Sequence, residues 1–342
     1  MKKVLVSGVA LAASLALGAC GLGPATSGGG GGSGAASIVI KVGDNWNQTH
    51  PMAAVMDTTF KTQVEEKSGG AIAVETYHSG TLGNEADLWA IVRNGTVEMV
   101  VIGTVMNQEY PTMLISDWPW LYRDVDHAKA VWTGEVAEEL NVAFNEKFPE
   151  TRILAWGPNS ARTFTSNKKL ESVGDFAGQK FRMPANPIHV GLAENLGASA
   201  QVIPLGELFS ALETGVVDGQ DNGMVTVVSE GLYEVQKWVY ETNHIIATLE
   251  VIANESFMAG LTEEQQTIIA DAAQAAAVQA WDDYSASIEK DRKFLIDQGL
   301  TVTSPTEADR QAMIDKTQPV VDKLLAENAW AKELTDKIRA VK

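Results

Sequence analysis

The run "TEEQQTIIADAAQAAAVQAWDDYSASIEKDRKFLIDQ", residues 262–298, limits the folds open to this chain more than any other stretch. It holds no Gly and no Pro. Thr262 with Gln265 has the spacing of a capping box, and Gly299 is a stop signal. At 1.5 Å per residue, one helix over this run spans roughly 55 Å, too long for a single lobe. Either the run kinks into two helices, or it is continuous and lies across two lobes. A length of 342 residues suits two domains.

The rest of the chain alternates in period. "SIVIKVG" reads as a strand, "PMAAVMDTTFKTQVEEKSGG" as a helix stopped by a Gly pair, and "AIAVETY" as a strand. "NEADLWAIVRNG" then reads as a helix and "VEMVVIG" as a buried strand. This β-α-β-α-β order predicts a largely parallel sheet with helices on both faces. The theme returns in "RILAWG", "QKFRMP", "PIHVGLAENLG", "SAQVIP", "LGELFSALETG" and "IIATLEVIAN". The expected architecture is α/β, with two lobes, a cleft between them and a long helix spanning both. The expected boundaries are 38–159 for the first part of lobe I and 160–247 for lobe II. Residues 248–342 then supply a strand returning to lobe I, the long helix and a C-terminal segment packing on lobe II.

The formal net charge of −18 disfavours nucleic acid and anionic membrane surfaces as partners. A few cations in a cleft still suffice for a small anion, because distant surface charge is screened. The N-terminus reads as an export signal: Lys2 and Lys3 precede an apolar run too short and too rich in small residues to span a membrane. Leu17-Gly18-Ala19-Cys20 resembles the lipobox of bacterial lipoproteins. Residues 1–19 are then a signal peptide and Cys20, the sole cysteine, carries lipid. Residues 20–37 form a glycine-rich tether, so the expected location is the periplasm or cell envelope, lipid-anchored to a membrane.

Signals of catalysis are poor. Five histidines show no metal-ligand spacing, and there is no GxSxG elbow and no Walker loop. "DGQDNG", residues 218–223, imitates the start of a calcium loop, but its twelfth position is Ser229 and the stretch after it is apolar. No metal and no cofactor are expected. Three polar residues stand out instead. Arg162 lies in "NSARTFTSN" at the opening of the second lobe. Arg182 ends the strand "KFRM", at the carboxyl end where ligands of open α/β sheets bind. Asn222 follows the "TGVVDGQ" turn. Each arginine alone suits an ordinary salt bridge as well as a ligand contact. Trp46, in the loop "GDNWNQTHP" after the first strand, suits a pocket wall.

At this point the chain resembles the solute-binding subunit of tripartite ATP-independent periplasmic (TRAP) transporters. The matching stretches are "VEEKSGGAIAVETYHSGTLGNEADLWAIVRNGTVEMV", "ARTFTSNKKLESVGDFAGQKFRMP", "LGASAQVIPLGELFSALETGVVDGQDN", "YEVQKWVYETNH" and "LTEEQQ". The resemblance implies two α/β lobes, a helix across both, and no enzymatic activity. It implies that Arg182 makes a two-pronged salt bridge to a ligand carboxylate, that Arg162 supports it, and that Asn222 lines the site. Glu85, after "TLGN", and Glu207, in "IPLGE", match first- and second-lobe positions at the site. The implied partners are a small organic carboxylate and the two membrane subunits of the transporter. Rival readings are a receptor for an ATP-driven importer or a sensor, and an exported hydrolase or lyase. The chain departs from the family pattern at Gly223, where Pro is usual, at Asn186-Pro187, and at Leu205, which replaces an aromatic residue. These residues do not choose among mono-, di-, keto-, sugar or aromatic acids.

Overall fold

A computed structural model describes residues 36–103 and 105–342. The expected leader, Cys20 and most of the tether lie outside them. Among the described residues the alternating periods of the sequence become eleven strands: β1 (Ile38–Gly43), β2 (Ile72–Tyr77), β3 (Met99–Ile102), β4 (Thr151–Ala161), β5 (Thr163–Ser166), β6 (Lys180–Met183), β7 (Ser199–Val202), β8 (Gly219–Asn222), β9 (Trp238–Tyr240), β10 (Ile246–Asn254) and β11 (Thr301–Thr303). They form two sheets, ordered β2-β1-β3-β10-β4 in lobe I and β11-β9-β5-β8-β6-β7 in lobe II.

Each sheet is largely parallel, as expected, with one opposed strand: β10 in the first and β5 in the second. β1 runs parallel to β2 and β3, but β10 is antiparallel to both β3 and β4. In lobe II, β5 is antiparallel to β8 and β9. The cause is connectivity. β4 carries the chain out of the first sheet and β10 brings it back alongside, so this pair must oppose. A strand that only enters or leaves a lobe needs no helical crossover. Between β4 and β5 lies a single residue, Arg162, whose N–H donates to Ile245 O at 2.7 Å. The two crossing segments are therefore tied side by side.

The long run is one helix, Glu263–Asp297, of 35 residues, about 52 Å. Its capping box forms as the spacing predicts: Thr262 Oγ1 accepts from Gln265 N, and Gln265 Oε1 accepts from Thr262 N. Ile269, Ala272, Ala273, Ala276, Ala277 and Ala280 recur at helical spacing and are buried against Met52, Val55, Met56 and Phe60 of lobe I. Small side chains on this stripe let the two helices pack closely. Further along, Trp281 donates to Trp156 O, the Tyr284 hydroxyl accepts from Ala161 N, and Leu295 joins the core of lobe II.

The C-terminal segment divides between the lobes. In the helix Glu307–Glu327, Val320 and Leu324 pack with Ile188 and Leu192 of lobe II. The last helix, Ala331–Ala340, turns back to lobe I, where His127 Nε2 lies 3.0 Å from Ile338 O. Among the described residues, no helix is long and apolar enough to cross a membrane.

Candidate ligand-binding cleft

The carboxyl ends of β1 and β3 face those of β6, β7 and β8, as expected for a ligand site in open α/β sheets. Between them lies a cavity of about 330 Å³, at the small end of the range for small-molecule sites. From lobe I it is lined by Asn45, Trp46, Glu85, Gly103 and Asp117, and from lobe II by Arg162, Arg182, Asn186, His189, Leu205 and Asn222. Thr248 and Asn159 contribute from the crossing strands. Five of the six candidate positions therefore converge here: Arg182, Arg162, Asn222, Glu85 and Trp46. Glu207 does not line the cavity. It is exposed in the first turn of the helix Leu205–Glu213, which turns Leu205 inward instead.

Arg182 is 4% exposed, between fully buried Phe181 and Met183. Its Nε donates to Ile203 O at 2.7 Å. Glu85 and Asp221 act on it only through space; among the described residues no carboxylate pairs with it. Burial, and then the nearby Arg162, lower its pKa to about 10, against the pull of Glu85 and Asp221. An arginine buried without an ion-pair partner is costly, and this one opens onto a cavity.

Arg162 is placed differently. Its Nε donates to Asp221 Oδ1 at 2.8 Å, and its Nη2 donates to Asp221 O. Asp221 Oδ2 also lies 2.6 Å from His189 Nδ1, and the other His189 nitrogen is 3.4 Å from Asp117 Oδ1. Burial alone would raise the Asp221 carboxyl, but Arg162, then His189 and His244, hold it well below the usual carboxylate range. Burial and Arg162 disfavour a charged His189, yet Asp221 and Asp117 outweigh them and raise its pKa. Arg162 is thus already committed within a buried network, while Arg182 is not.

Asn222 donates to Gln220 Oε1 at 2.7 Å, and Gln220 donates to Thr165 Oγ1 at 2.9 Å, so a strand of polar residues is satisfied internally. Gly223, where the family usually has Pro, has a local reason. Its N–H donates to Ser160 Oγ, and a Cβ there would sit 2.3 Å from the Ser160 Cβ. Asn186 caps the helix Pro187–Leu196 by accepting from Ile188 N, and its amide donates to Asp117 Oδ2 at 2.8 Å across the cleft.

On the lobe I wall, Asn84 caps the helix Glu85–Arg93. Glu85 Oε1 accepts from Gly103 N at 2.7 Å. Burial raises the Glu85 pKa, opposed by that bond and then by Arg182. Asn45 Oδ1 is buried without a hydrogen-bond partner among the described residues.

Two lobes, a shared long helix and an enclosed polar cleft define a solute receptor of the two-lobed binding-protein class. Comparison agrees. Residues 42–328 match the family model "Bacterial extracellular solute-binding protein, family 7". A TRAP periplasmic solute-binding protein of Haemophilus influenzae, solved with bound L-gulonate, superposes with a TM-score of 0.85 at 30% identity, over 89% of this chain and all of that one. Another from Desulfovibrio salexigens, with bound orotic acid, gives a TM-score of 0.83 at 27% identity, over 89% of this chain and 99% of that one. The 2,3-diketo-L-gulonate-binding periplasmic protein YiaO of Escherichia coli is 28% identical over 75% of this chain and 77% of its own length. The chain belongs to family 7 of the bacterial extracellular solute-binding proteins, the receptors of TRAP transporters. Members of this family are receptors rather than enzymes.

Sequence reasoning missed Asp117, His189 and Asp221 as members of the site. A histidine in the apolar helix "PIHVGL" was the one available signal, since a buried imidazole needs polar partners.

Proposed function

We propose that this receptor binds a small hydroxylated monocarboxylate of the sugar-acid kind and delivers it unchanged to the membrane subunits of a TRAP transporter. The observation that carries this reading is the Arg182 guanidinium, buried at the cavity with no ion-pair partner among the described residues. Guanidinium matches a carboxylate with two parallel charge-assisted bonds. Asn222 and Arg162 flank that contact, and Trp46 closes the far wall. One carboxylate fits better than two. Arg162 and His189 already face Asp221, whereas a second ligand carboxylate would meet Glu85. The acceptors of the lobe I wall, Glu85 and Asn45 Oδ1, suit ligand hydroxyl donors. The L-gulonate, orotic acid and diketogulonate named for the relatives all share a carboxylate.

Titration calorimetry with L-gulonate, orotate and succinate tests the reading. The expected result is one-to-one binding of L-gulonate, at least about tenfold tighter than succinate, with the acid recovered chemically unchanged. Failure of every carboxylate to bind would overturn it, and turnover would restore the hydrolase or lyase alternative.

Lipid on Cys20 would hold the receptor at a membrane near those subunits, motivated by Leu17-Gly18-Ala19-Cys20 and the glycine tether. Cys20→Ser is expected to lose incorporation of labelled fatty acid and to leave the membrane fraction. An exported variant that stays membrane-bound argues against the anchor.

A further inference from the structure

The loop after β1 carries Trp46 into the cavity wall. Most of its bonds stay within lobe I. Asp44 Oδ1 accepts from Trp46 N at 3.0 Å, and Asp44 Oδ2 pairs with His78 Nδ1 at 2.6 Å. Ser79 N donates to Trp46 O, and the His50 ring lies 3.2 Å from Asn159 O. One bond leaves the lobe. Asn47 N donates to Glu230 Oε1 at 2.7 Å.

Glu230 ends the helix Met224–Ser229, whose Met224 and Val227 are packed in the lobe II core with Leu212, Val217 and Leu232. It is half-buried and does not line the cavity. Burial pushes its carboxyl pKa up, the Asn47 N–H is the strongest opposing contact, and Asp44 adds to the rise. A half-buried carboxylate accepting from a backbone N–H makes a stronger bond than a neutral pair. Here that bond is made between lobes, one residue from Trp46.

We propose that Glu230 is a positioning residue for ligand retention, through which lobe II grips the Trp46 loop when the lobes come together. Closure then both brings Arg182 to the ligand and fixes the opposite wall. Ligand residence depends in part on a side chain that never touches ligand. The inference rests on the carboxylate-receptor reading for its ligand.

Stopped-flow binding of L-gulonate tests it with two variants. Glu230→Gln keeps an amide oxygen able to accept from Asn47 N; Glu230→Ala does not. Glu230→Ala is expected to speed dissociation about tenfold to a hundredfold, the range for losing a hydrogen bond to a charged group. Its association rate should change much less than its dissociation rate, as is usual for interface changes. Glu230→Gln keeps the acceptor but loses its charge, so its dissociation should speed up clearly less than in Glu230→Ala, by no more than about tenfold. Unchanged dissociation in a folded Glu230→Ala overturns the proposal, as does equal loss in the Gln variant. If the wild type binds no L-gulonate, the ligand reading is what has failed there. Glu230 is then judged on hydrogen exchange at the Asn47 amide without ligand: faster exchange in Glu230→Ala supports the cross-lobe grip, and unchanged exchange overturns it.

Discussion

Replacing Arg182 by alanine is expected to weaken carboxylate binding roughly a hundredfold to several thousandfold. The side chain is buried, its neighbours Phe181 and Met183 exclude water, and no carboxylate of the described residues neutralises it. Removing one partner of a buried ion pair costs about 3–5 kcal/mol, and about 1.4 kcal/mol is a tenfold change in affinity. The variant also loses an unpaired buried charge, so the ligand-free protein should be no less stable than wild type. Arg182→Lys should recover only part of the affinity, because ammonium cannot form the planar fork. Titration calorimetry measures the effect, with circular dichroism to establish folding. Binding within about threefold of wild type, under about 0.7 kcal/mol, would make Arg182 an ordinary structural arginine.

Arg162→Ala should act mainly on stability. Arg162 is the strongest charge holding the buried Asp221 carboxylate ionised. Its loss leaves that carboxylate with His189 and with His244, whose Nε2 lies 3.5 Å from Asp221 Oδ1, and should cost about 3–5 kcal/mol. At about 2.1 cal/mol/K per residue over about 300 residues, the melting temperature should fall by roughly 5–8 °C. Ligand affinity should fall less than in Arg182→Ala. Arg162→Met combined with Asp221→Leu should recover much of the loss, since neither charge is then stranded. A melting temperature of Arg162→Ala within about 2 °C of wild type, under about 1 kcal/mol, would show that the pair carries little.

That Arg162 is held by Asp221, while Arg182 has no carboxylate partner among the described residues, was beyond sequence reasoning, although both positions were found. Arg182 stands between apolar residues and Arg162 in the polar stretch "NSARTFTSN", and only the fold brings Asp221 to Arg162 and leaves Arg182 facing the cavity. The alternating strands and helices of lobe I were legible because their periodicity is clean. The long helix was legible from its caps, but its continuity was open until the alanine stripe was seen against Met52 and Phe60. β8 was read as a turn. "GQDN" has neither β-branched residues nor alternation, yet all four residues are buried in the middle of lobe II. Its polar side chains satisfy one another through Thr165, Arg162 and His189. Local propensity could not anticipate a strand whose compensation comes from distant residues. The antiparallel runs of β4 and β10 escaped for a related reason, since direction within a sheet depends on where the chain must return.

That return has a consequence for synthesis. β10 lies between β3 and β4 in the sheet of lobe I. A nascent chain that has emerged only as far as Ala161 holds four of the five strands but nothing to join β3 to β4. Both edges wait, with unpaired N–H and C=O groups, until Asn254 has been made. By then the five adjacent strands β9-β5-β8-β6-β7 of lobe II have all appeared. The half of the molecule that begins first therefore cannot close its sheet until all but one strand of the other has been made. Its sheet is assembled from contacts far apart in the chain, the kind that slow folding most.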